Sequence, residues 1–396
     1  MNSTVEPGVR RQGIARAPDL FPITREWAYL QNASIGPLAA PVVAAVKDVV
    51  HSQSTQGTEE YASWLDMVES VRQRVATLLL VDPANLSFVR NTAEGLARVA
   101  FGLPWSAGDN VVTYAGEYPT NVLPWMALRD QGVELRLASG SGGRITVDDL
   151  TGYVDARTRL VALSSVQFAT GYRLDVDAIG AFCRERRILF SVDAIQHLGV
   201  LPFDVARSPV DFVTAGAHKW LLAPAGSGVF YVNPEAADRL RVVEVGYAGM
   251  RNYSINDELL DFRLDFRSTA QRFEGGLQAF GPIAGLGAAA ELLLGFGIDA
   301  ISDHVLALTD RAVEGLTDAG ATVLSPRSSL GERSGIVSFV HPRVPALEIK
   351  SFLAARHVSI SVRVVEGRHV VRISPHLYNT VDEIDAFLAL LKELVR

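Results

Sequence analysis

The sequence predicts an α/β protein, with a large domain built on a mostly parallel sheet and a small α+β domain at the C-terminal end. Three observations predict it. Between about residues 71 and 245, short β-rich runs alternate with amphipathic helical patterns, as strands joined by crossover helices do. From about residue 303 the order changes to helix, strand, helix, two strands and a terminal helix. At 396 residues, 48% of them apolar, the chain can bury more than one core.

Residues 1–22 read as a polar arm, because "MNSTVEPGVRRQGIARAPDL" lacks the apolar stretch of a secretory signal. The large domain is expected over residues 23–280. Its strands are "NLSFVR", "NVVTYAG", "VELRLAS", "RLVALSSVQ", "ILFSVDAIQ", "DFVTAGAHK" and "GSGVFYV". In "RLDVDAIGAFCRERR", Val176, Ile179 and Phe182 form one stripe and Arg184, Glu185 and Arg186 another. That helix carries Cys183, expected as a packed thiol. After "RFEGG", the stretch "LQAFGPIAGLGAAAELLLGFGIDAI" reads as one long helix linking to the small domain, and the two together span residues 281–396. There "GIVSFVHP", "SISVRV" and "HVVRISP" are strands, and "ALEIKSFLAARH" and "VDEIDAFLALLKELV" are helices.

Composition narrows the partners. The net charge is -7 and no Lys/Arg cluster interrupts it, which argues against a nucleic-acid surface. No apolar run is long enough to span a membrane. A single cysteine allows no intramolecular disulfide and no CxxC metal site, which suits the cytoplasm. Small molecules are the expected ligands, and no metal site is expected.

Of 37 cationic side chains only four are lysine. Lys47, Lys350 and Lys392 occupy helical positions where a long side chain snorkels to water. Lys219 follows the strand "DFVTAG" and precedes the apolar "WLLAPAG", at the sheet edge where α/β folds bind ligands. A desolvated lysine loses its proton readily and attacks a carbonyl, which arginine cannot do. Asp193 ends the preceding apolar run, where a buried carboxylate needs a cationic partner or else caps a helix. Gln196 follows it. In "FVRNTAEGLARVAF", Thr92 and Ala93 open a helix whose free N–H groups favour an anion, although the same pattern is also an ordinary cap.

With "RNTAEG", "GEYPTN", "SVDAIQ", "GAHKW" and "RFEGG" in this order and spacing, the chain resembles the class V aminotransferase family of fold-type I pyridoxal-phosphate enzymes. The resemblance runs from about Tyr29 to the C-terminus. It implies pyridoxal 5'-phosphate as cofactor and Lys219 as its Schiff-base lysine. Tyr118 matches the ring that stacks on the cofactor, while Asp193 and Gln196 match the contacts to its ring nitrogen and phenolic oxygen. Thr92, Ala93 and His218 match phosphate contacts. Arg372 matches the arginine that holds the substrate carboxylate, and Asn32, Ala33 and Ser34 match a segment lining the substrate site. A homodimer is also implied, with "SINDELLDFRLDFRSTAQRFEGG" reaching the neighbouring subunit.

Two departures bear on function. Gly216 and Leu277 stand where family members often carry hydroxyl side chains for the phosphate, which leaves Thr214 or Gln278 as substitutes. Cysteine desulfurases of this family carry a nucleophilic cysteine on a C-terminal-domain loop, but the segment between Arg363 and Arg372 is short and has none. The expected reaction is therefore β-elimination from a cysteine conjugate, giving thiol, pyruvate and ammonia. Transamination and epimerisation of a small amino substrate remain as alternatives. The pocket, expected near Asn32, Tyr118, Phe168 and Tyr253, suits a substrate larger than alanine.

Overall fold

The computed structural model describes residues 18–251, 260, 262–365 and 367–396. The expected arm up to residue 17, Tyr253, and much of the first part of the segment assigned to a neighbouring subunit lie outside the described residues.

The strands of the two larger sheets are numbered here in chain order. The main sheet has seven: β1 Leu86–Val89, β2 Asn110–Tyr114, β3 Glu134–Ala138, β4 Thr158–Ser164, β5 Leu189–Asp193, β6 Phe212–Gly216 and β7 Gly228–Val232, in spatial order β1-β7-β6-β5-β4-β2-β3. Only β7 runs antiparallel to its neighbours. All seven coincide with the runs read from sequence. Every position of β5, β6 and β7 is buried, because helices cover both faces and leave no polar side to alternate with. One face packs Val161, Phe190 and Val213, and the other Leu160, Leu189 and Phe212.

A second, antiparallel sheet lies toward the C-terminus: β8 Thr322–Val323, β9 Val337–Val340, β10 Ser361–Val365 and β11 Arg368–Ile373, in order β10-β11-β9-β8. Helices Ile298–Asp318, Ala346–Ala354 and Val381–Val395 contribute to its separate core. The two-residue strand β8 was not legible in the sequence.

The chain passes between these cores at several points. Ala28–Tyr29 pairs in parallel with Val358–Ser359, and Leu30 is buried in the second core, so a segment near the start of the fold is stitched to its end. Conversely, helix Phe280–Phe296 buries Ile283, Leu286 and Leu293 in the main core and packs against helices Ala40–Thr55 and Tyr61–Leu79. The single long helix expected here is two. Gly297 adopts φ +82°, a conformation a side chain disfavours, and the next helix turns away by 79°. Among the described residues, no single helix is long and apolar enough to cross a membrane.

A buried ion pair ties these layers together. Arg72 donates to Glu274 at 2.7 Å, and Glu274 also accepts the backbone N–H of Phe88 at 2.7 Å. Helix Tyr61–Leu79, strand β1 and the segment leading into helix Phe280–Phe296 thus meet at one carboxylate.

Candidate active site

Strands β2, β5 and β6 all end at the same edge, and a cavity of about 680 Å³ opens there. It gathers Thr92, Ala93, Tyr118, Asp193, Gln196, His218, Lys219, Ser34 and Arg372. These come from both ends of the chain. Such an edge collects side chains because parallel strands deliver their C-termini together.

Lys219 leaves β6 after a two-residue link and is only 9% exposed. Its ammonium is pulled down to about 8, chiefly by burial, with Asp193 opposing and Arg372 and Arg363 assisting. Its Nζ lies 5.6 Å from the centre of the Tyr118 ring. Tyr118 is 45% exposed, so it is no core aromatic, and it meets Phe168 edge-on at 5.1 Å. Gly36 lets the chain pass beside this lysine, since a Cβ there would fall 2.2 Å from the Lys219 carbonyl oxygen.

Asp193 is buried, and one of its oxygens accepts the N–H of Ile195 at 2.9 Å. No regular helix follows it, so it does not act as a helix cap. Burial raises its carboxyl to about 7, against which the Ile195 N–H and Lys219 act. Glu117 adds to that rise and is itself held up by burial. Glu117 accepts the Ser164 backbone N–H at 2.6 Å, the Ser164 hydroxyl at 2.5 Å and the Gln167 amide at 2.9 Å, which anchors the chain just before Tyr118. The sequence reading passed over it, although it stands inside the quoted "GEYPTN".

Gln196 is oriented by a neighbour that can only donate. The Trp220 indole N–H bonds its Oε1 at 2.7 Å, which turns Nε2 to the Ala33 carbonyl at 3.1 Å and leaves a second N–H over. His197 lines a different hollow, of about 920 Å³, formed with Tyr172, Phe203 and Glu332. Though larger, that hollow contains neither the lysine nor its acid partner.

Thr92 and Ala93 open helix Thr92–Gly102, and their N–H groups have no intrahelical acceptor. The Thr92 hydroxyl accepts the Gly216 N–H at 2.9 Å, so its own proton is free to be donated. Gly216 carries no hydroxyl, and a Cβ there would come within 3.2 Å of the His218 ring. Neither expected substitute reaches the cavity. Thr214 turns under the helix against Gly95, and Gln278 donates to Glu274 at 3.1 Å. Leu277 is 65% exposed and lines a separate groove.

At the other wall, Arg372 is 1% exposed and donates to the Ser361 hydroxyl, the Phe168 carbonyl and the Ser34 hydroxyl at 3.2, 2.5 and 3.1 Å. All three acceptors are neutral. Burial, with Arg363 adding to it, lowers its guanidinium to about 9. Arg363 also lines the cavity and donates to the same Ser34 oxygen at 2.7 Å. Sequence reading named Arg363 only as the end of a segment. Asn32, expected at the substrate, does not line the cavity: its amide bonds the Ser374 carbonyl at 2.9 Å and accepts from the Tyr378 hydroxyl at 2.8 Å. It ties its segment to Ser374 and Tyr378 instead of presenting itself.

A desolvated lysine at the end of β6, a buried acid at the end of β5 and a helix N-terminus beside them, on a sheet of this order, define a pyridoxal-phosphate enzyme of fold type I. The residues fit that cofactor. Lys219 is kept dry, Asp193 has one oxygen outside its local bond, Gln196 has an N–H to give, and the first turn after Asn91 offers donors to a phosphate.

The class V aminotransferase model matches residues 28–387. The chain is 29% identical to a probable cysteine desulfurase of Pyrococcus abyssi, over 95% of this chain and 96% of that one. It is 27% identical to an uncharacterized aminotransferase of Bacillus subtilis, over 92% and 94%. The apo structure of a cysteine desulfurase from Thermococcus onnurineus superposes with a TM-score of 0.86 at 25% identity, covering 100% of this chain and 99% of that one. The cystine C-S lyase C-DES, solved with its product cysteine persulfide, has the same fold, with a TM-score of 0.86 at 23% identity over 94% and 99%. The chain belongs to the class V aminotransferase family, and pyridoxal phosphate is its cofactor.

Proposed function

We propose that this enzyme is a C–S β-lyase that cleaves a cysteine conjugate to a thiol, pyruvate and ammonia. The observation that carries this reading is a cavity with a desolvated amine and two guanidiniums that form no ion pair among the described residues, but no thiol. Cys183, the only cysteine, is 1% exposed on helix Val176–Glu185, and burial pushes its thiol up to about 12. Strands β10 and β11 are separated by residues 366 and 367 alone, too little chain to carry a nucleophile into the cavity. Sulfur therefore leaves with its substituent instead of being stored as a persulfide.

Lys219 would hold the cofactor covalently, with Thr92, Ala93 and His218 at its phosphate, Asp193 at the ring nitrogen, Gln196 at the phenolic oxygen and Tyr118 over the ring. Bound pyridoxal phosphate supplies an electron sink for the pair released when a bond to Cα breaks. The chain's own residues do the rest. Arg372 has two N–H donors left and would hold the α-carboxylate, which would limit how the bonds at Cα can be turned. Lys219, once its amine is free of the cofactor, would take the Cα proton at Nζ, and burial favours the neutral form that this needs. Burial raises the Asp193 carboxyl, and a cationic ring nitrogen opposite it would favour the charged carboxylate. The Cβ–S bond then breaks, and the balance is RS–CH2–CH(NH3+)–COO− plus water giving RSH, pyruvate and ammonium.

The working unit in this proposal is a homodimer in the cytoplasm. Leu260, Phe262 and Leu264 are between 74% and 80% exposed, an apolar run that a second copy would cover. The test is a joint assay of thiol and pyruvate with a cysteine S-conjugate. Equal release of both supports the lyase. Loss of the visible band on adding amino donor alone, without pyruvate, assigns the enzyme to transamination instead.

A further inference from the structure

Arg372 is bracketed by two segments that each carry a large apolar side chain. Its terminal nitrogens donate to the Ser34 hydroxyl and to the Phe168 carbonyl, and each keeps one N–H in hand. A carboxylate held on those two groups therefore lies between the segment of Ile35, next to Ser34, and the loop of Phe168. Both residues line the cavity, and neither is buried. The Phe168 ring meets the exposed Tyr118 ring edge-on, while Ile35 keeps 61% of its surface open.

Both side chains stand on backbone that is tied down. The loop of Phe168 is gripped from the second sheet: Ser338 of β9 donates to the Ala169 carbonyl at 2.5 Å, and Ser334, just before β9, donates to the Gly171 carbonyl at 2.6 Å. The Arg173 N–H returns to the Glu332 carbonyl at 3.0 Å. On the other side, the Ile35 carbonyl accepts the Tyr29 hydroxyl at 2.7 Å, and the Gly36 N–H donates to the His218 carbonyl at 2.8 Å. A wall fixed in this way has little freedom left to lose when a ligand packs on it.

The chemistry of the wall says what it suits. Thr92, His218, Asp193, Gln196 and Lys219 serve the cofactor in the reading above, and Arg372 the α-carboxylate. Sulfur is only a short chain from that carboxylate, so its substituent falls against Phe168 and Ile35. An apolar group gains there by leaving water, whereas a polar one surrenders its hydration to side chains that cannot bond it. We propose that Phe168 and Ile35 determine specificity, and that the substrate is a cysteine S-conjugate whose sulfur carries an apolar alkyl or aryl group. This rests on the reading of the enzyme as a C–S lyase with Arg372 at the α-carboxylate.

The test uses the cofactor-loaded enzyme and a near-isosteric pair, S-propyl-L-cysteine and S-(2-hydroxyethyl)-L-cysteine, with S-methyl-L-cysteine as the short member. Binding is read from the change in cofactor absorbance, and thiol and pyruvate are measured separately. The propyl conjugate binds about 10- to 100-fold more tightly than the hydroxyethyl one and about 10-fold more tightly than the methyl one. Phe168→Ala, which keeps the carbonyl that Arg372 holds, and Ile35→Ala each narrow both gaps. Phe168→Leu and Ile35→Val restore most of them, and Arg372→Gln weakens all three conjugates alike. Equal binding of propyl and hydroxyethyl conjugates by the unaltered enzyme overturns the proposal whether or not any variant folds. So does an undiminished preference in both alanine variants, or tighter binding of S-carboxymethyl-L-cysteine than of the propyl conjugate. Preferential binding of the propyl conjugate without thiol release sinks the lyase reading and leaves the apolar wall standing. Thiol and pyruvate from all three conjugates at equal affinity does the reverse.

Discussion

Replacing Trp220 by phenylalanine tests how the site keeps a polar side chain in one orientation. Trp220 is fully buried, and its indole N–H is the donor that forces the Gln196 amide to present oxygen on one side and nitrogen on the other. Phenylalanine keeps the aromatic bulk and deletes the donor. The amide then either stays, with a buried carbonyl oxygen orphaned at about 1–3 kcal/mol, or rotates and points oxygen where an N–H was available. A packing loss accompanies it, because Trp220 fits closely against Gly335, where a Cβ would come within 2.6 Å of the indole. A double-mutant cycle with Gln196→Leu separates the two effects. The coupling should be about 1–3 kcal/mol, which moves a thermal midpoint by about 2–4 °C per kcal/mol in a domain of this size. The pH at which the bound cofactor's visible band changes should shift in Trp220→Phe and shift no further when Gln196 is already leucine. Equal losses of stability in both backgrounds, with no shift of the band, would show that the indole merely fills space.

Other outcomes follow from the same geometry. Lys219→Arg should give no visible band with pyridoxal phosphate. In the unaltered apoprotein, capture of the cofactor should accelerate as pH rises through about 8 and level off above it, because burial lowers the amine and only its neutral form attacks. Arg72→Met strands Glu274 in the interior and should cost about 3–5 kcal/mol in thermal unfolding, part of which Arg72→Met/Glu274→Gln recovers. Cys183→Ala should leave the rate of thiol release unchanged, and a thiol reagent should fail to label native Cys183, whose thiol is both enclosed and protonated.

Much of this was legible in the sequence because the two governing signals are local. Strands β5, β6 and β7 are apolar runs because both sheet faces are covered, and Asp193 and Lys219 stand where such runs end. What escaped depends on contacts distant in sequence or on the direction of one side chain. The meeting of Ser34 with Arg363 joins positions 329 residues apart, and no spacing announces it. Thr214 sits on the right strand but faces away, filling the room that Gly95 leaves. Asn32 is in the right segment, yet Tyr378 and Ser374 already hold its amide. The helix break is one residue deep, and glycine is common enough within "LLLGFGIDAI" that Gly297 did not stand out.

The pairing of Ala28–Tyr29 with Val358–Ser359 also orders events in time. More than 300 residues separate these strands, so a ribosome adding about 5–20 residues per second makes the first wait about 15–60 s for the second. Asp193 and Lys219 can reach their sheet edge well before then, whereas Ser34 has neither arginine to hold it until the last hairpin emerges. A nascent chain would thus acquire its amine and acid early and its means of selecting a substrate late.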